Sequence, residues 1–262
     1  MFSKVSSIVN SHMNNSKMSD TNKINQSLRI LAKYRCSQIA ATIVQTHGNE
    51  ILGGPFQGMK FINEVSEGCF LPKLLGIYES ELHKLIKKIV KNPPDIFVNV
   101  GSAEGYYSVG LKRLIPDTIC YAYDIDPNAQ EKVKILAEKN DVDISIAGEF
   151  ELQNLKDFNK KNIFLMCDIE GAEAELFNKD SIDILENTSL CIELHYWNSI
   201  HNEKILPELF SKTHHTQIIY QDGKQEFKVP DVVKNLEHFD ILLSAWEWRQ
   251  YPTPWLIATP RN

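Results

Sequence analysis

From Asp95 onward, short apolar runs alternate with longer stretches in which apolar residues recur every three or four positions. The short runs predict strands at 95–100, 118–123, 143–147, 162–167, 189–194, 214–221 and 255–259. The longer stretches predict helices near 105–115, 127–139, 151–157, 174–187, 203–211 and 231–248. Strands that are apolar along their whole length belong to a mostly parallel sheet covered by helices on both faces. The expected fold is therefore α/β: a Rossmann-like, seven-stranded, mostly parallel sheet. Two late strands after a long helix point to an antiparallel strand at one edge.

Upstream of Asp95 the pattern is different. Residues 1–21 are polar and rich in Ser, Asn, Met and Lys, which predicts a mobile or weakly helical start. Leu28, Leu31, Ala32, Ile39 and Ile43 mark an amphipathic helix from Asn25 to Gln45, free to pack on the core or on a second subunit as a homo-oligomer. Gly53 to Gly58 reads as turn, before a short strand at Met59–Ile62. A helix from Ser80 to Lys91 stops at Asn92-Pro93-Pro94. This divides the chain into an N-terminal helical extension, 1–76, and a main domain, 77–262.

Composition narrows the classes. A chain of 262 residues with 43% hydrophobic content can build one α/β core with an extension. A net charge of −6, with no useful Lys/Arg cluster, argues against a nucleic-acid partner. No apolar run is long enough for a membrane span, and the N-terminus lacks the apolar centre of a signal peptide. The five cysteines form no C-x-x-C pair, and Cys120, Cys167 and Cys191 fall in predicted strands. Reduced thiols inside a cytoplasmic protein are the expectation.

The candidate chemistry begins at the first strand of the main domain. Ile96-Phe97-Val98-Asn99-Val100 runs into Gly101-Ser102-Ala103-Glu104-Gly105, and a helix follows at once. Such a junction brings backbone N–H groups and a helix start close to a nucleotide-like ligand. The second strand ends in Asp124, nineteen residues past Gly105, where an acid can bind ribose hydroxyls. A dinucleotide turn needs a glycine where Ala103 stands. Glu104 in the turn suits a cationic ligand such as S-adenosylmethionine better than a pyrophosphate. An NAD(P)-linked oxidoreductase and a nucleotide-free α/β protein remain as alternatives.

These residues resemble a known group. Phe97 to Gly105, followed by Tyr121-Ala122-Tyr123-Asp124, is similar to motifs I and II of class I S-adenosylmethionine-dependent methyltransferases. Asp168-Ile169-Glu170-Gly171-Ala172-Glu173 resembles the D-x-E-G-x-E signature of the FkbM-like branch, and Ile192-Glu193-Leu194-His195 resembles its next strand end. The resemblance spans roughly residues 95–200; residues 49–79 lie outside it. It implies a cofactor at the strand carboxyl ends and O-methylation of a sugar, a glycan or another small hydroxyl acceptor. Gly101, Ser102, Ala103 and Gly105 would line the methionine part of the cofactor. Asp124 would hold the ribose, and Glu104 would meet the amino group or serve as a helix-start charge.

Asp168, Glu193 and His195 are the candidate catalytic residues, at two neighbouring strand ends. Asp168 would orient the acceptor or the cofactor amine. Residues two apart on a strand share a face, which puts Glu193 and His195 together. The trio suits a base, or a divalent metal held by hard oxygens and one imidazole. A structural polar pair is the other reading, and Glu170 and Glu173 fit the first turn of a helix. Trp246 to Arg249 either caps a pocket or packs in a late helix, and His214-His215 read as edge-strand histidines. A protein that binds the cofactor without catalysis stands as a further alternative.

Overall fold

The computed structural model describes residues 2–261 apart from 64, 66–68, 159–160, 198–199, 222–228, 250 and 252. Seven strands form one sheet: β1 (Ile96–Val100), β2 (Ile119–Tyr123), β3 (Ser145–Ala147), β4 (Ile163–Cys167), β5 (Thr188–Glu193), β8 (His214–Ile219) and β9 (Trp255–Pro260). A two-stranded hairpin, β6 (Tyr196–Trp197) and β7 (Ile200–His201), follows β5. The order across the sheet is β3-β2-β1-β4-β5-β9-β8. The pairs β3–β2–β1–β4–β5 are parallel, and β9 is antiparallel to both of its neighbours. This is a Rossmann-like, doubly wound sheet. The antiparallel strand lies one place in from the edge, not at it, because β9 inserts between β5 and β8.

Alternation along the strands divides the core into two layers. Phe97, Phe164, Met166 and Trp255 face one side, together with Val109 of α5 (Tyr106–Leu114) and Ile86 and Ile89 of α4 (His83–Lys91). The turn-rich stretch around Ile51, Phe56, Met59 and Phe61 packs into this same layer. Val98, Leu165, Leu190 and Leu256 face the other side, against Leu206 and Phe210 of α9 (Asn202–Phe210). α6 (Pro127–Asn140) starts with Asp126 accepting the Asn128 N–H and Pro127 in its first turn.

Several elements differ from the sequence expectation. The stretch 174–187 is not one helix: Phe177 is extended, and Asn178 caps a 3₁₀ turn between α7 (Glu173–Leu176) and α8 (Ile182–Leu185). The helix expected at 231–248 shrinks to α10 (His238–Ser244), preceded by turns from Pro230. At Met59–Ile62 only a single bridge, Glu50 to Lys60, forms. The polar start is helical, as α1 (Phe2–Met13), packed on the long α2 (Asp20–His47).

The apolar face of α2 is buried only in its second half. Cys36, Ile39, Ala40 and Ile43 pack on Leu71, Leu74 and Leu75 of α3 (Phe70–Leu75) and on Leu243. Leu28 and Leu31, expected on that face, are exposed together with Ile24. All five cysteines are buried and free. Among the described residues no helix is long and apolar enough to cross a membrane.

Candidate active site

The glycine turn sits at the carboxyl end of β1. Gly101 has φ +75°, and a Cβ there would lie 1.6 Å from the Asp168 carbonyl oxygen. The missing side chain therefore admits the end of β4, a tighter demand than room for a ligand. Gly105, at φ +91°, opens α5, where a Cβ would meet Val133 of α6. Ala103 also takes a left-handed conformation, φ +47°. Its N–H donates to Asp124 Oδ2 at 2.8 Å, and the Asp126 N–H donates to Oδ1 at 2.9 Å. Asp124 thus fastens the turn to the end of β2.

Glu104 is fully buried and pairs with Lys73 of α3 at 2.5 Å. Burial works against the Lys73 charge, but Glu104 more than offsets it and raises the ammonium pKa. The Lys73 ammonium also lies 4.8 Å from the centre of the Tyr78 ring. Glu104 is therefore one half of a buried ion pair reaching back to the N-terminal extension, not a plain helix-start charge.

Asp168, Glu193 and His195 come together as their strand-end positions imply, with one ligand atom from each lying within 4.8 Å of the others. His195 Nε2 stands 3.8 Å from Asp168, 3.7 Å from Glu193 and 3.5 Å from Glu170. Its Nδ1 is 2.8 Å from Glu173 Oε1. Glu173 is fully buried, receives the Gly171 N–H at 3.2 Å, and takes the Asn202 amide on its other oxygen at 2.9 Å. It does open α7, yet its carboxylate is spent on orienting the imidazole. A first-turn helix charge is the lesser part of its role.

The charges are set by their surroundings. Burial opposes an imidazolium at His195, but the Glu173 bond and the Glu193 charge prevail and raise its pKa. Burial, with the adjacent Glu193 carboxylate, pushes Asp168 well above the usual carboxylate range. Burial pushes Glu193 the same way, yet Arg249 and His195 outweigh it and hold its pKa low. Asp168 Oδ1 is buried without a hydrogen-bond partner.

Arg249 gathers a second group of side chains on the far oxygen of Glu193. Its guanidinium bonds Glu193, Glu79, Thr253 and Glu247, and Thr253 also donates to Glu193. Glu79, held by the Tyr107 hydroxyl as well, sits in a left-handed conformation at φ +46°. Burial pushes its carboxyl up to about 8, with Arg249 opposing and Glu193 and Glu247 adding to the rise. Trp246 to Arg249 lies beyond the end of α10, so Glu247, Trp248 and Arg249 are free to line the cavity. Glu79 and Thr253 carry no motif of their own. Glu173 closes the D-x-E-G-x-E run, and Arg249 ends the aromatic-rich stretch from Trp246.

One cavity of about 1120 Å³ joins the parts. It reaches from Gly101, Ser102, Ala103 and Glu104 to Asp168, Glu193 and His195. Asp124 is outside its lining, and its oxygens already hold the turn. His214, by contrast, is fully buried on β8 and bonds the Thr188 carbonyl, away from this site.

No protein-family model matches the chain, and no curated protein matches it. Solved structures align with it at low identity. An O-methyltransferase from Bacillus cereus in complex with SAH aligns over 100% of both chains, with 7% identity and a TM-score of 0.47. Precorrin-6y C5,15-methyltransferase from Geobacter metallireducens aligns over 68% of this chain and 88% of its own, with 10% identity and a TM-score of 0.42. At such identity, what this site does rests on its own side chains.

Proposed function

We propose that this protein is an S-adenosylmethionine-dependent methyltransferase acting on a hydroxyl of a small molecule or glycan. The observation that carries the reading is a single cavity with the glycine turn at one end and a carboxylate-held imidazole at the other. The residues present fit the cofactor: six carboxylate side chains line the cavity against three Lys and Arg side chains, and Asp168 Oδ1 lacks a donor. A sulfonium and an ammonium group answer that environment, whereas a pyrophosphate would be repelled by it.

When bound, S-adenosylmethionine supplies an electrophilic methyl group on sulfur. The Gly101–Gly105 backbone and Ser102 would hold the methionine part, while Asp124 keeps the turn in shape and would meet the ribose. Asp168, whose charge is disfavoured by burial and by the adjacent Glu193 carboxylate, would orient the acceptor hydroxyl or accept the cofactor amine. Glu173 fixes the His195 ring so that Nε2 faces the cavity. Neutral Nε2 would be placed to take the proton of an acceptor hydroxyl held in the cavity. Glu193 stabilises the resulting imidazolium.

The same three side chains suit a divalent cation, and this second reading rests on the unpartnered Asp168 oxygen and the buried carboxylate on His195 Nδ1. Such an ion would favour the charged form of Asp168 and polarise the acceptor oxygen.

Calorimetry with S-adenosylmethionine, S-adenosylhomocysteine and NAD tests the assignment. Saturable binding of the first two, with no heat from NAD, is expected. Binding of NAD alone would turn the site over to an oxidoreductase. Product nucleoside release from a set of hydroxyl acceptors separates an enzyme from a cofactor-binding protein. Loss of that turnover in a chelator, restored by magnesium, selects the metal-assisted version.

A further inference from the structure

The charges in the cavity are unevenly placed. Three of its carboxylates gather at the strand ends around His195, where Asp168, Glu170 and Glu193 all approach the imidazole. Of the cations in its lining, Lys73 is paired with Glu104, and Arg249 with Glu193 and Glu247. Lys33 is different. It comes from α2, in the N-terminal extension, and among the described residues its ammonium meets no carboxylate. It sits 4.5 Å from the centre of the Trp248 ring, another residue of the cavity wall.

The neighbourhood of Lys33 is itself positive. Arg29, one helical turn earlier, donates to the Trp248 carbonyl at 2.7 Å and the Arg249 carbonyl at 3.3 Å. Both partners are neutral, and among the described residues no carboxylate pairs with it. Burial and this guanidinium hold the Lys33 pKa below its usual value. An unpaired, partly desolvated ammonium facing a cavity gains most from an anion, since a charge-assisted bond in such a place is among the stronger polar contacts.

We propose that Lys33 forms a basic subsite for an anionic group, a carboxylate or a phosphate, carried by the molecule whose hydroxyl reaches His195. The molecule's role as methyl acceptor rests on the proposed methyltransferase function; the anion subsite itself does not. A bipolar acceptor matches the bipolar cavity: its acidic end lies against α2, and its hydroxyl lies against the imidazole. α2 then supplies a specificity residue to the site in addition to packing on α3 and α10.

The full-length protein is titrated with inorganic phosphate and, separately, with acetate, each followed by tryptophan fluorescence and indole NMR resonances. The wild type should show a saturable change with at least one of the two, and the one that binds identifies the anion. Lys33→Gln should weaken that binding about tenfold, the worth of one charge-assisted hydrogen bond, and Lys33→Arg should restore most of it. No saturable response to either anion overturns the proposal, as does equal affinity in Lys33→Gln. Circular dichroism of each variant confirms folding. Calorimetry with S-adenosylhomocysteine on the same samples keeps the two assignments apart. Cofactor binding without anion binding removes only the subsite, and anion binding without cofactor binding removes only the methyltransferase.

Discussion

At His195 an ordinary imidazole becomes a directed one through a single buried carboxylate. Glu173 takes its Nδ1, and Asn202 and the Gly171 N–H hold Glu173 in turn. A neutral amide in place of that carboxylate keeps the shape and removes the charge. Glu173→Gln should therefore lower the His195 pKa, read from the imidazole carbon-bound protons in an NMR pH titration, while the fold survives. The wild-type imidazolium contributes stability that is complete below the unfolded value near 6.5 and fades as pH rises through the raised folded value. An unmoved titration in Glu173→Gln would show that Glu173 does not govern the ring.

The turn after β1 shows how much an element can ask of one position. Gly101 cannot carry a side chain, because the end of β4 already occupies the space where its Cβ would project. Gly101→Ala should cost roughly 3 kcal/mol or more in urea unfolding, combining a forced backbone shift with a left-handed φ. Ala103→Gly, in the same turn but without such a clash, should be tolerated, since glycine adopts that conformation freely. Equal stability of Gly101→Ala and the wild type would mean that β1 and β4 separate easily at their carboxyl ends.

Taken whole, the molecule buries more carboxylates at the cavity than it has cations to match them. Glu79, bonded to Arg249 in the cavity wall, is raised to about 8, and Glu81, which lines a separate pocket together with Glu247, to about 7, both above an unfolded value near 4.5. The folded state therefore binds more protons than the unfolded chain across that interval. Stability that is fully present below about pH 4.5 must decline as pH rises through 7 and 8, apart from the acid-side loss contributed by Glu193. Urea midpoints should fall between pH 6 and pH 8.5, and Glu79→Gln should flatten part of that slope. A midpoint that climbs over this range would contradict the buried acid cluster.

The alternating strands and helices, the glycine turn and the three residues at the ends of β4 and β5 were legible along the chain. Each of these is written in local spacing: a period of two or near four, a glycine between strand and helix, a polar residue just past an apolar run. What surrounds those residues was decided elsewhere. Arg29 reaches the carbonyl of Arg249 across 220 positions, Arg249 reaches Glu79 across 170, and Lys73 reaches Glu104 across 31. The single helix expected at 174–187 also gave way to the capped turn at Asn178, and β9 slipped in between β5 and β8. Periodicity reports which face of an element is buried, because burial repeats with the geometry of that element. Which distant charge meets another, and which strand fills a gap in the sheet, is fixed only when the packed layers bring separate segments together and exclude the water that would otherwise keep their charges apart.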